Sequence, residues 1–200
     1  MSKFELHQYS GKAYEAEQII TFSKNQSASL SDIDKEMQSH LGITAVEVSN
    51  LTQTEFDYFV SNYADAYESI YFFQNTKVKD LSVLSKLKKV KYLLFYNVGA
   101  ISLWNMRQND SLKGIMISDS KKMLYDLEQL QYAPNIEELL LLSTTFSKYP
   151  VRTITPLKDC PKLKRLFIEF NTEDKSFIPE EFDFLDVFKY QCDRKRNFTY

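Results

Sequence analysis

Glycine is scarce in this chain, with four residues in 200. Gly11, Gly42, Gly99 and Gly114 are scattered, so no P-loop, G-x-S-x-G or dinucleotide fingerprint can be assembled from them. Cysteine is scarcer still. Cys160 and Cys192 are too few for a disulfide framework and show no metal-site spacing, so a reducing compartment is expected. The two histidines, His7 and His40, have no ligand or acid at a recognisable spacing. Acidic pairs such as Glu137-Glu138 and Glu180-Glu181 are of the kind common on solvated surfaces. Neither a catalytic residue nor a metal or cofactor is expected, and an enzyme is the least favoured class.

Charge of one sign is also lacking. The net charge is −2 with both signs spread along the chain, which argues against a nucleic-acid partner. The basic run from Lys86 to Lys91 reads as a solvated rim ahead of a buried strand. No apolar run approaches the roughly 20 residues of a membrane span. Met1 to His7 contains no apolar core of signal-peptide character. A soluble, cytoplasmic protein with no membrane partner is expected.

Aromatic residues, by contrast, are plentiful. Fifteen Phe and thirteen Tyr in a chain that is 44% hydrophobic exclude a chain disordered as a whole. They fall into a recurring pattern. In Val90-Lys91-Tyr92-Leu93-Leu94-Phe95-Tyr96-Asn97, apolar residues occupy offsets 1, 4 and 6 and a polar residue offset 8. The same spacing recurs at Ile43, Val46, Val48, Asn50 and at Tyr67, Ile70, Phe72, Gln74. It returns at Leu112, Ile115, Ile117, Asp119, at Ile136, Leu139, Leu141, Ser143 and at Leu163, Leu166, Ile168, Phe170. The first members are 22 to 27 residues apart. Each unit predicts a short strand with one face on a core, and the recurrence of L-x-x-L-x-L at 20–29 residues is the signature of a leucine-rich repeat.

The connections predict two kinds of return. Leu30, Ile33, Met37 and Leu41 have helical spacing, with Ser29 or Ser31 as N-cap. Thr52-Gln53-Thr54-Glu55 has the form of a capping box ahead of Phe56, Phe59, Val60 and Tyr63. Later connections run in strict threes: Val78, Leu81, Leu84, Leu87, then Leu124, Leu127, Leu130, Ala133, then Ile154, Leu157, Cys160. A period of three suits 3₁₀ turns.

The stretches Asp80 to Leu93 and Thr153 to Leu166 resemble the internalin-type, short-repeat class of leucine-rich repeats, over about residues 43–171. The resemblance implies an α/β solenoid of six or seven repeats, with a curved parallel sheet on the concave side and helical or 3₁₀ connections on the convex side. The asparagine that the family carries at offset 9 occurs here only at Asn75 and Asn171, so its ladder is expected to be incomplete. A single domain is expected: an N-terminal cap over 1–22, hairpin or degenerate repeat, then repeats over 23–171, then an aromatic C-terminal cap and tail over 172–200. Ser143 to Val151 reads as a loop that lengthens one repeat.

The candidate site follows from strand alternation. If offsets 4 and 6 face the core, offsets 3, 5 and 7 face the concave side. Those rows contain Tyr71, Phe73, Tyr92, Leu94, Tyr96, Met116, Leu140, Leu142 and Phe167, where a solvated sheet face is normally polar. A strip of this kind marks an interaction site. The aromatics are expected to be anchors and Leu and Met the fill between them. Glu138, Arg165 and Glu169 are expected at a polar rim that sets orientation. The function expected is noncatalytic recognition of another protein, as an immunity protein or an adaptor. The alternatives are a homodimer, a strip covered by the chain's own tail, and a small hydrophobic ligand.

Overall fold

The computed structural model describes residues 19–23, 29–39, 42–120, 122–143, 151–169 and 179–191. Eight short strands form one sheet: β1 (Ile19–Ser23), β2 (Ala45–Ser49), β3 (Ser69–Phe73), β4 (Tyr92–Tyr96), β5 (Gly114–Ser118), β6 (Glu138–Leu142), β7 (Arg165–Glu169) and β8 (Val187–Gln191). Every pairing is parallel, and the order in the sheet is the order in the chain. This alternating α/β architecture is solenoid-like, because each strand lies beside the previous one and each connection returns the chain to the same edge.

The core lies on one face of the sheet. Val46, Val48, Ile70, Phe72, Leu93, Phe95, Ile115, Ile117, Leu139, Leu141, Leu166 and Ile168 pack there against the returning segments. These are the offset 4 and 6 positions of the sequence pattern. The first returns are helices, α1 (Leu30–Ser39) and α2 (Gln53–Asn62). Thr52 is the N-cap of α2, and its N–H donates to Glu55 Oε2 at 2.9 Å, the arrangement expected of a capping box. The segments spaced in threes form 3₁₀ turns at Ser82–Lys86, Glu128–Tyr132 and Thr155–Asp159. Each puts one fully buried leucine inward: Leu84, Leu130 or Leu157.

The polar residue at offset 8 has a backbone reason. Asn50, Gln74, Asn97 and Asp119 have φ of 59°, 53°, 50° and 52°. Asn and Asp tolerate this left-handed region better than most side chains. There the chain leaves the strand and turns toward the core, while the amides of Gln74, Asn97 and Asp119 still donate to Tyr96, Ser118 and Leu142 carbonyls. One position later, Asn75 is fully buried. Its Nδ2 donates to the Val48 carbonyl at 2.8 Å and its Oδ1 accepts from the Leu51 amide at 2.8 Å, tying two successive turns. At the equivalent place two repeats on, Ser120 Oγ accepts from the Val98 amide at 2.9 Å. A hydroxyl thus replaces the amide in the incomplete ladder.

At the first end, Ile20 and Phe22 pair in register with Val46 and Val48, as the degenerate-repeat alternative has it. At the other end, the aromatic segment extends the sheet by a strand in place of simply covering it. Phe188 and Tyr190 pair with Leu166 and Ile168, while Phe182 is fully buried in the core. The reason is that Leu185, Phe188 and Tyr190 repeat offsets 1, 4 and 6, so the same burial pattern is available once more. Residues 144–150 of the loop expected over Ser143 to Val151, together with Asn171, His7, His40, Cys192 and the polar tail, lie outside the described residues.

Candidate protein-binding face

Alternation along β2 to β8 sends offsets 3, 5 and 7 to the face opposite the core, here called the open face. A second apolar cluster forms on it, separate from the core: Tyr92, Leu94, Met116 and Leu140, with Tyr71, Phe167 and Val187 packed against them. The register sets this cluster, because Leu94, Met116, Leu140 and Phe167 are direct partners across successive strands.

The centre of the strip is enclosed, both at Tyr92, expected to be an anchor, and at Leu94, Met116 and Leu140, expected to be the fill between anchors. Tyr92, Leu94, Met116 and Leu140 are 5%, 0%, 5% and 1% exposed. They form a buried floor. The larger rings of Tyr71 and Phe167 pack against them.

Two rim residues are also reassigned. Glu138 is 1% exposed and forms an ion pair with Arg165 on the neighbouring strand. A carboxylate so removed from water requires a partner. The pair therefore holds β6 to β7 within the chain, and neither residue is a solvated orienting charge.

What stays accessible lies mainly along offset 7. Phe73, Tyr96, Leu142 and Glu169 are half-buried, as are Tyr71 and Phe167 at offset 5. Phe73 and Tyr96 stack with ring centroids 5.2 Å apart and planes 10° from parallel. Tyr71 meets Phe73 edge-on at 5.8 Å. Burial raises the Tyr71 hydroxyl pKa, and the nearby Glu47 carboxylate and Tyr96 add to the rise. Glu169 is likewise pushed above the usual carboxylate range, first by burial and then by Asp119.

Sequence reasoning missed Asp119 as a charge near this face, because its offset reads only as the end of a strand. It also missed Lys189, opposite Phe167 on β8 and exposed. The 1, 4, 6 spacing at Leu185, Phe188 and Tyr190 was the signal that could have found it.

On the core side, a crevice of about 470 Å³ is lined by Val60, Asn62, Asp65, Lys86, Leu87 and Lys89, among others. Asp65 there accepts from the Lys88 and Lys89 amides at 2.9 Å each, a local tie between turns. Lys91 of the basic run pairs with Glu68 at 2.7 Å.

No protein-family model and no curated protein matches the chain. The chain has a weak, partial likeness to solved structures. One of them, an internalin C2 from Listeria monocytogenes, is 16% identical, and the match covers 83% of this chain and 84% of that one with a TM-score of 0.42. At that score the likeness carries no argument about function. Among the described residues no helix is long and apolar enough to cross a membrane.

Proposed function

We propose that the chain is a noncatalytic leucine-rich repeat protein that recognises another protein through the concave face of its sheet. The fold half of this reading is supported by the in-order parallel strands and by burial at the L-x-x-L-x-L positions. The functional half rests on one observation. Phe73 and Tyr96 are stacked on each other and half-exposed beside Tyr71, on a face where most of the other large side chains are buried. Rigid aromatic side chains held by their neighbours lose little entropy when a partner covers them, and Tyr is enriched at binding hot spots. Tyr71, Phe73, Tyr96, Leu142 and Phe167 are the contact residues in this reading, over a floor of Tyr92, Leu94, Met116 and Leu140. An immunity protein or an adaptor would use such a surface.

The test compares affinity capture from native lysate by the wild-type chain and by a Phe73→Asp/Tyr96→Asp variant with matched thermal unfolding. A specific partner recovered by the first and lost by the second is expected, with each anchor worth about 2 kcal/mol or more of binding. Equal recovery of every partner by both would overturn the reading.

A further inference from the structure

The accessible row on the open face is chemically graded. Strand register aligns Phe73, Tyr96, Ser118, Leu142 and Glu169 across five consecutive strands. Ser118 is buried in the middle, whereas the other four remain half-buried. One end of the row is therefore an aromatic stack, and the other end is a carboxylate. Three strand steps of about 4.8 Å separate Tyr96 from Glu169, about 14 Å in all.

The acidic end differs from three other glutamates near the sheet. Glu68 is paired with Lys91, Glu137 with Lys164 and Glu138 with Arg165. Partial burial is the main cost to the ionised form of Glu169, and the Asp119 carboxylate adds to it. Asp119 belongs to the turn after β5 and Glu169 to the end of β7, so the sheet register brings the two acids to the same edge. A cation brought to this edge would relieve both effects, while a carboxylate would aggravate them.

We propose that the partner of this face presents a large apolar or aromatic side chain and a lysine or arginine about 14 Å apart, the first seated on Phe73 and Tyr96 and the second on Glu169. This inference rests on the protein-binding reading above and specifies the chemistry of the partner. Acidic and purely apolar partners are disfavoured by the same geometry.

A random peptide display library, panned against the wild-type chain, Glu169→Lys, Glu169→Gln and Phe73→Ala/Tyr96→Ala, tests it. All four proteins are first matched for thermal unfolding, and Glu169→Gln serves if the charge reversal does not fold. Peptides carrying both an aromatic or large aliphatic residue and a Lys or Arg are expected to be enriched by the wild type. A synthetic peptide made from the enriched sequence should bind about tenfold more weakly to Glu169→Gln, a difference of about 1.4 kcal/mol, and should weaken with added salt. Enrichment of apolar peptides without basic residues, lost on Phe73→Ala/Tyr96→Ala, overturns the charge assignment and leaves the protein-binding reading intact. Basic peptides enriched equally by Glu169→Lys, or dual-character peptides enriched equally without the aromatic pair, also overturn it. No enrichment over the bare support counts against both readings.

Discussion

Glu138 on β6 and Arg165 on β7 sit opposite each other in the sheet register and form an ion pair from which the carboxylate has lost nearly all contact with water. Removing one partner would strand the other charge in a poorly solvated place, which costs about 3–5 kcal/mol. Glu138→Ala should therefore lower unfolding free energy by about that amount in urea titration. Replacing both with apolar residues of similar volume should recover much of the loss. A Glu138→Ala loss below about 1 kcal/mol would show that the pair is solvated and expendable.

Phe95 and Tyr96 are sequence neighbours with opposite orientations. Phe95 is fully buried, 5.4 Å from the Phe72 ring and 5.9 Å from the Trp104 ring. Phe95→Ala should cost about 3–5 kcal/mol. It should also change the fluorescence of Trp104, the single tryptophan of the chain. Tyr96→Ala should cost only about 0.5–1.5 kcal/mol through the lost stack on Phe73, with little change in Trp104 emission. Equal destabilisation by the two variants would mean that the faces are assigned wrongly.

Asn75 satisfies backbone groups of two turns from a fully buried position. Asn75→Ala leaves the Leu51 amide and the Val48 carbonyl without this partner. Each unsatisfied buried group costs about 1–3 kcal/mol, so a loss of several kcal/mol is expected in chemical denaturation. Asn75→Ser should restore part of it, as Ser120 fills the equivalent role for Val98.

Gly99 is tied to the preceding turn through its amide, which donates to the Asn75 carbonyl at 3.2 Å. A Cβ there would lie 2.0 Å from the Thr76 carbonyl oxygen and 2.7 Å from its carbon. That obstacle is backbone, which cannot rotate away. Gly99→Ala should therefore destabilise by about 1–3 kcal/mol, read as a fall in thermal midpoint. An unchanged midpoint would show that the two turns are looser than this geometry requires.

Asp34 on α1 accepts hydroxyl hydrogen bonds from Tyr63 and Tyr58, at 2.5 and 2.7 Å from one oxygen, and so clamps α1 to the α2 segment. The Tyr63 bond and then the Tyr58 bond hold its pKa below the ordinary 3.8. A depressed folded-state pKa means stability that is present above the unfolded value and lost as pH falls through the folded value. The wild type should thus exceed Asp34→Asn in thermal midpoint at neutral pH. That margin should close only as pH drops below about 4. A margin that is independent of pH would remove the carboxylate from the clamp.

Much of the fold was legible because burial repeats with the chain. Residues at offsets 1, 4 and 6 are apolar since they meet the core each time the chain returns, and offset 8 is Asn, Asp or Gln where φ turns positive. Runs of three announced the 3₁₀ returns, since that turn has three residues per revolution. These are local or periodic demands, and residue type records them directly.

The open face was legible only in direction. Alternation predicts that Tyr92, Leu94, Tyr96 and Met116 project away from the core, and cross-strand register supports that. How much water each one meets depends on neighbours 20 or more residues away, which alternation does not encode. Leu94 and Leu142 are the same residue type on the same face, yet one is enclosed and the other half-open. Glu138 and Glu169 diverge in the same way. One lies beside Arg165 across the strand boundary, and the other feels Asp119 from two strands away. By itself the sequence determined the coil, its turns and which side chains leave the core. Tertiary structure alone decided which of those remain in contact with solvent and which charges are matched, because both are set by register between strands distant in the chain.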